Sequence, residues 1–324
     1  MKKIALIVLS LILFYSCEEE GKSKRVVSAS SGNINSLSVV IDNDLWEGEI
    51  GESIRNTIGA PLYGLPQDEP QFSLKQMPTV VFTDFATKNR TILKVVKGKD
   101  ADTKFFENAY AKPQKMAVVY GQTNQEIIDQ INTNAAKIIS AFKTEEIKEK
   151  QRRIRKSLNK NNNIEDVLGL TIQFPSAYRV AKEDGKFFWL RRDIKTGTIN
   201  LMLYEMPLDA ISKGDETIND IIKIRDSIGQ AHIPGPLDGS YMITEDAYTP
   251  FIGSSILDNK PTYVTRSVWE VKKAFMSGPF INYAIEDKIN NRYIIAEGFV
   301  FAPSVEKRDY VFELESIIKS LKIK

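Results

Sequence analysis

The apolar and polar positions of this chain change period several times, and each change marks an element. Leu37 to Ile41 reads as a strand, and Ile50, Ile54 and Ile58 then recur at helical spacing. Strand patterns follow at Thr79–Phe85, Thr91–Val96 and Met116–Tyr120. A long helix is predicted from about Thr123 to Leu158, with Ile127, Ile131, Ala135, Ile138 and Phe142 on one face. Thr123 and Glu126 fit a capping box at its start. After the asparagine run 159–163, Leu168 to Pro175 and Phe187 to Leu190 predict a hairpin. Ile199–Tyr204 reads as a strand, and Ile218, Ile221, Ile224 and Ile228 line a helix. Strands at Thr262–Val271, Phe280–Ile285 and Arg292–Phe301 precede a closing helix that carries Ile317, Ile318 and Leu321.

The order of elements repeats. Ile54-Arg55-Asn56-Thr57-Ile58-Gly59 has a near copy in Ile224-Arg225-Asp226-Ser227-Ile228-Gly229. Both sit toward the end of a helical pattern, where a glycine just past the last turn adopts positive φ at least cost. The expected fold is therefore α+β: two related units in tandem, each a mainly antiparallel sheet with helices on one face, joined by the long helix. The expected divisions are a signal peptide over 1–16, an anchor and tether over 17–36, a first unit over 37–162 and a second over 163–324. Pro/Gly-rich loops at 60–70 and 230–239 follow the two matching helices. If the units pack about a pseudo-twofold axis, these loops flank one groove, lined by Tyr63, Asp68, Glu69, Asp238 and Tyr241. Plain connections are the preferred reading of both loops, and the groove is the alternative.

The first residues break from this pattern. Lys2 and Lys3 precede an apolar run from Ile4 to Phe14, interrupted by Ser10. The run falls short of the roughly 20 apolar residues that span a bilayer, and it has the length of a signal-peptide core. Ser16 and Cys17 then resemble a lipobox, although Phe14 and Tyr15 are bulkier than its usual residues. That resemblance implies cleavage before Cys17 and its acylation with lipid such as palmitate. Cys17 is the one cysteine in 324 residues, so an internal disulfide is excluded. Glu18, Glu19 and Glu20 resemble the surface-export signal of Bacteroidota lipoproteins. Surface display on the outer membrane is the expectation, with a periplasm-facing tether as the alternative.

Charge narrows the partners. Loss of Lys2 and Lys3 from the 44 Lys and Arg residues balances them against the 42 Asp and Glu residues. A neutral mature chain argues against nucleic acid. The basic stretch Lys148–Lys156 reads as a solvated helical connector.

Catalytic signatures are scarce, and no cofactor, metal or catalytic residue is predicted. His232 is the one histidine, which excludes a multi-histidine zinc site; it reads as a loop residue. No phosphate loop or dinucleotide fingerprint occurs. Carboxylates remain available for glycan hydrolysis: Asp42, Asp44, Glu47 and Glu49 around Trp46, or Glu286 with Asp287. Acids at a helix start also have a plain role against its dipole.

Taken as a whole, the chain resembles an uncharacterised family of Bacteroidota lipoproteins, a domain of unknown function. Leu170–Tyr178, Phe188-Trp189-Leu190-Arg191, Asn200–Tyr204, Gly278–Tyr283 and Gly298–Pro303 carry the resemblance. The opening strand and closing helix of the second unit also resemble the PsbP and Mog1-like α/β sandwich in topology. The first functional expectation is a non-catalytic binding or assembly factor, anchored to the membrane and meeting an envelope protein or glycan. A carboxylate-dependent glycan hydrolase and a purely structural lipoprotein are the alternatives.

Overall fold

The computed structural model describes residues 27–160 and 162–324, so Cys17 and Glu18, Glu19 and Glu20 lie outside the described residues. It is a mixed α+β protein of two units bridged by one long helix. No described helix is long and apolar enough to cross a membrane.

The first unit runs β1 (Ser36–Val40), α1 (Glu49–Thr57), β2 (Ser73–Met77), β3 (Thr91–Lys97), β4 (Asp102–Glu107), β5 (Lys115–Gly121) and α2 (Asn124–Ile154). Its sheet has the order β2-β1-β3-β5-β4. β1 pairs in parallel with β2 and β3, and β3 in parallel with β5; only β4 runs antiparallel. This corrects the expected antiparallel sheet. The strands suit this arrangement: Leu37, Val39 and Val40, like Ile92 and Leu93, are buried in succession rather than alternately. Such runs belong to parallel strands covered on both faces. Helices α1 and α2 cover one face through Ile50, Ile54, Ile131 and Phe142. The segment around Phe82 covers the other. Thr79–Phe85 forms short 3₁₀ turns instead of a strand, and it leaves Val80 and Phe85 largely exposed.

Helix α2 starts as expected. The Glu126 amide donates to Thr123 Oγ1 at 3.2 Å, and Glu126 Oε2 accepts from the Gln122 amide at 2.8 Å. Its early turns bury Ile127, Ile131 and Ile138 in the first core, while Ile154 near its end joins the second. Midway, Glu146 forms a two-pronged bond with Arg90, both contacts at 2.9 Å and both residues buried. The basic stretch is the expected solvated helical connector, with Lys148, Arg152, Arg153, Arg155 and Lys156 exposed, although Glu149 takes Arg152 and Arg153 and Lys150 pairs with Glu313 at 2.6 Å.

The second unit contains β6 (Arg179–Asp184), β7 (Phe187–Ile194), β8 (Gly197–Pro207), α3 (Thr217–His232), β9 (Met242–Thr244), β10 (Phe251–Leu257), β11 (Lys260–Val271), β12 (Ala274–Asp287), β13 (Arg292–Phe301) and α4 (Arg308–Ile318). The strands form an antiparallel sheet of order β9-β11-β12-β13-β8-β7-β6, with β10 also on β11. Helix α4 packs on one face through Val311, Leu314, Ile317 and Ile318. Helix α3 packs on the other through Ile221. Helices on both faces replace the expected single covered face, because strand residues such as Leu201 and Met202 are both fully buried. The expected Leu168–Leu190 hairpin does not form. Phe187–Ile194 pairs with β6 and β8, and Leu170–Thr171 pairs with Lys322–Ile323 at the chain end.

The strand topologies differ, so the expected kinship of the two units does not extend to their sheets. The repeated glycines also differ from expectation, since neither has positive φ. A Cβ on Gly59 would lie 2.9 Å from both the Arg55 carbonyl and Leu74. One on Gly229 would lie 2.2 Å from the Met242 carbonyl. Close packing, not handedness, requires glycine at both places.

Candidate ligand-binding site

On the α3 face of the second sheet, alternation brings one set of aromatic side chains to one end. Trp189 and Arg191 come from β7, Thr198 and Asn200 from β8, and Phe299 and Phe301 from β13. Trp269 and Val271 from β11 and Met276 from β12 complete the floor. The pairs Arg191–Asn200, Asn200–Phe299 and Thr198–Phe301 are directly cross-strand, which fixes this constellation. Gly278 makes room for it. A Cβ there would fall 2.0 Å from the Val300 carbonyl and 3.2 Å from the Trp269 indole nitrogen.

Helix α3 ends at His232, and the chain folds over this floor as Ile233-Pro234-Gly235-Pro236. The turn is closed by backbone bonds, Gly235 N to Ser240 O at 2.8 Å and Met242 N to Ile233 O at 3.1 Å. Two prolines and these bonds make a stiff rim. Between rim and floor lies a cavity of about 260 Å³. That is just below the range of roughly 300–1,000 Å³ usual for small-molecule sites. It has space for a single ring or a short acyl segment.

The polar groups are few and oriented. Trp189 Nε1 donates to Asn200 Oδ1 at 3.0 Å, and Asn200 Nδ2 donates to Thr198 Oγ1 at 3.0 Å. Trp269 Nε1 donates to the Val300 carbonyl at 3.2 Å, and its ring meets Phe299 edge-on at 5.6 Å. Arg191 supplies the one formal charge in the lining, balanced by Asp193 at 2.9 Å. No Asp or Glu lines the cavity. It is therefore suited to apolar and stacking contacts with one hydrogen-bonding end, and it lacks the paired acids of glycoside hydrolysis.

The residues singled out from sequence lie elsewhere. Tyr63 is exposed and stacks on Phe251 at 5.6 Å. Asp68 is exposed beside it. Glu69 is buried and caps α4: its carboxylate accepts from the amides of Lys307 at 2.7 Å and Arg308 at 2.8 Å. Asp238 is exposed, and Tyr241 lies under the Lys272 ammonium. The two loops do not flank one groove. Residues 60–68 line a recess with Tyr248 and Ser267, whereas 233–236 roof the aromatic cavity. Sheets of different topology cannot present equivalent loops to one axis.

Of the carboxylate candidates, Asp44, Glu47 and Glu49 lie exposed at the surface, and the others are committed to partners. Arg55 covers the Trp46 ring at 4.8 Å, in the place a sugar would stack. Asp42 accepts from the Thr79 amide at 3.0 Å. Asp287 is fully buried between Arg292 at 3.1 Å and Lys260 at 3.9 Å, and Glu286 pairs with Lys213 at 3.3 Å. His232 ends a helix rather than sitting in a loop, and stacks on Phe187 at 4.0 Å. Burial and then the Lys182 charge hold its pKa below the usual value, against Asp184.

Sequence reasoning missed Trp269, Phe299, Phe301, Met276 and Asn200. The available signal was aromatic residues two apart, as in Phe299 and Phe301. Strand order, which decides which strands share a face end, is not encoded in that spacing.

Two family models match the chain. Residues 157–320 match the Domain of unknown function (DUF4837), just over half of the chain. Residues 30–155 match the Domain of unknown function (DUF8532). No curated protein matches. Among solved structures, the Saccharomyces cerevisiae Ran-binding protein Mog1p is 7% identical over 48% of this chain and 89% of its own, with a TM-score of 0.31. A score that low carries no argument.

Proposed function

The chain belongs to the DUF4837 family, and from that premise we propose that it is a lipid-anchored binding protein of the bacterial envelope, non-catalytic, with the aromatic cavity of its second unit as its ligand site. The observation that carries the binding role is the cavity itself. Two tryptophans and two phenylalanines converge under a stiff Pro-Gly-Pro rim, with Asn200 and Arg191 as the polar end and no acid in the lining. The ligand class is a mainly apolar molecule that inserts a ring or short chain. The anchor rests on the sequence alone, on the apolar run before Cys17. The acids Glu18, Glu19 and Glu20 favour display on the outer face of the outer membrane in a Bacteroidota-type envelope.

A fluorescent fatty acid tests the site. Saturable binding is expected, weakened about tenfold or more in Trp189→Ala, the loss on removing a desolvated aromatic anchor. Binding that never saturates, or that Trp189→Ala leaves unchanged, removes the ligand role and leaves a structural lipoprotein. Labelled palmitate should enter the wild type and not Cys17→Ser. Trypsin applied to intact cells should digest the protein; survival places it behind the outer membrane.

A further inference from the structure

A second cavity, of about 130 Å³, lies on the seam between the units, and its lining draws on both. Leu62, Gln71, Lys143 and Ile147 come from the first; Arg266, Arg308, Phe312 and Glu315 come from the second. Three of these side chains are cationic and one is anionic. Arg308 is buried and Arg266 nearly so.

The single carboxylate is already engaged. Glu315 accepts from Arg266 at 2.8 Å, Tyr283 at 3.0 Å and Lys319 at 2.9 Å. Burial alone would raise its pKa, yet Arg266 and Lys319 hold it well below the usual carboxylate range. Arg308 donates to the Pro70 carbonyl, Ser73 Oγ and Asp309, the last on the exposed side. Among the described residues, Arg266 has Glu315 as its one acceptor.

Lys143 is the decisive group. Its Nζ donates to Asn35 Oδ1 at 2.9 Å and to the Gln71 carbonyl at 2.6 Å, between the rings of Phe72 at 4.2 Å and Phe312 at 5.0 Å. An ammonium has a third N–H, for which no acceptor occurs among the described residues. The charges around it are Glu315 and Arg308 on α4, Glu146 on α2 and Arg266 on β11. Burial lowers its pKa to about 7; Glu315 and Glu146 oppose that shift, and Arg308 and Arg266 add to it. A seam of low polarity does not tolerate surplus like charge. It can shed the surplus by deprotonating Lys143, or it can accept an anion.

We propose that this seam cavity binds one small free oxyanion, such as sulfate, phosphate or a simple carboxylate, held jointly by Arg266, Arg308 and Lys143 and so clasping the two units together. The volume fits one such ion. The donors are the charge-assisted kind that favour oxyanions. A bound anion would restore the Lys143 proton, so binding and protonation are linked.

Inorganic sulfate is the probe, because it does not titrate near neutrality. Sulfate also stabilises proteins generally by exclusion from their surface, so the readout is saturable heat of binding to the full mature protein. Titrations in buffers of different ionisation heat should show proton uptake above pH 7. Affinity should fall by up to about tenfold per pH unit there, as a linked ionisation requires. Lys143→Met should weaken binding about tenfold or more, the worth of one charge-assisted bond, and abolish the pH dependence. Absence of saturable sulfate binding at pH 6.5 overturns the proposal, and so does equal binding by Lys143→Met. If that variant does not fold, proton uptake by the wild type decides: uptake supports the site, and binding without it overturns the role of Lys143.

Discussion

Arg55 and Arg225 hold the same place in two nearly identical six-residue stretches, and the fold treats them oppositely. Arg55 lies on the surface, where it covers Trp46. Arg225 is fully buried: its Nε is 3.0 Å from Glu297 Oε1, its Nη1 donates to Thr244 at 3.0 Å, and its guanidinium rests 3.9 Å from the Phe280 ring. Each follows a buried or half-buried isoleucine on an amphipathic helix. The difference is what covers the helix. α1 leaves its arginine face to solvent, whereas α3 is bracketed by the broad sheet and by β9. A repeated sequence therefore reproduces the helix but not the environment, and the buried copy needed Glu297, 72 positions away in the same core, to be tolerable.

The largest expected contrast follows from removing each charge. Arg225→Met strands the Glu297 carboxylate in the core and should cost about 3–5 kcal/mol. Arg55→Met should change stability by no more than about 0.5 kcal/mol. Urea midpoints of the two variants test this, and equal shifts would break the comparison. Arg225→Met with Glu297→Leu should recover much of the loss.

The paired glycines sharpen it next. Gly229→Ala drives a methyl into the Met242 carbonyl and should cost about 3 kcal/mol, whereas Gly59→Ala, which meets a movable Leu74 side chain as well as backbone, should cost about 1 kcal/mol. Thermal midpoints should rank them in that order.

The smallest effect is in pH. Burial raises the Glu297 pKa, and the Arg225 charge opposes that rise. A carboxyl whose folded pKa is raised loses stability as pH climbs from its unfolded value through its folded one. Without Arg225 that pKa rises further, so the penalty of Arg225→Met should be smaller at pH 5 than at pH 8. The penalty of Arg55→Met should be flat across this range. A flat profile for Arg225→Met would mean that solvent reaches Glu297.

Local periodicity located most elements because it depends on neighbours within one turn or one pleat. Helix α2 and its Thr123 cap, and strands β11, β12 and β13, are recoverable from spacing alone. Ser73–Met77 was missed because little of it is buried, and Thr79–Phe85 was misassigned because β-branched residues there face solvent. Of the expected sites, only the lipobox resemblance around Cys17 rests on contiguous sequence. Trp189 lies in a stretch that carries the family resemblance, but its partners Trp269 and Phe299 lie 80 and 110 positions further along the chain.

The sequence by itself determined the α+β class, the two units and the joining helix, all set by short-range pattern or by composition. Tertiary structure alone decided parallel against antiparallel pairing, which arginine is buried, and both cavities. Those depend on strand order and on which faces meet, through contacts between residues far apart in the chain, and no local period records them.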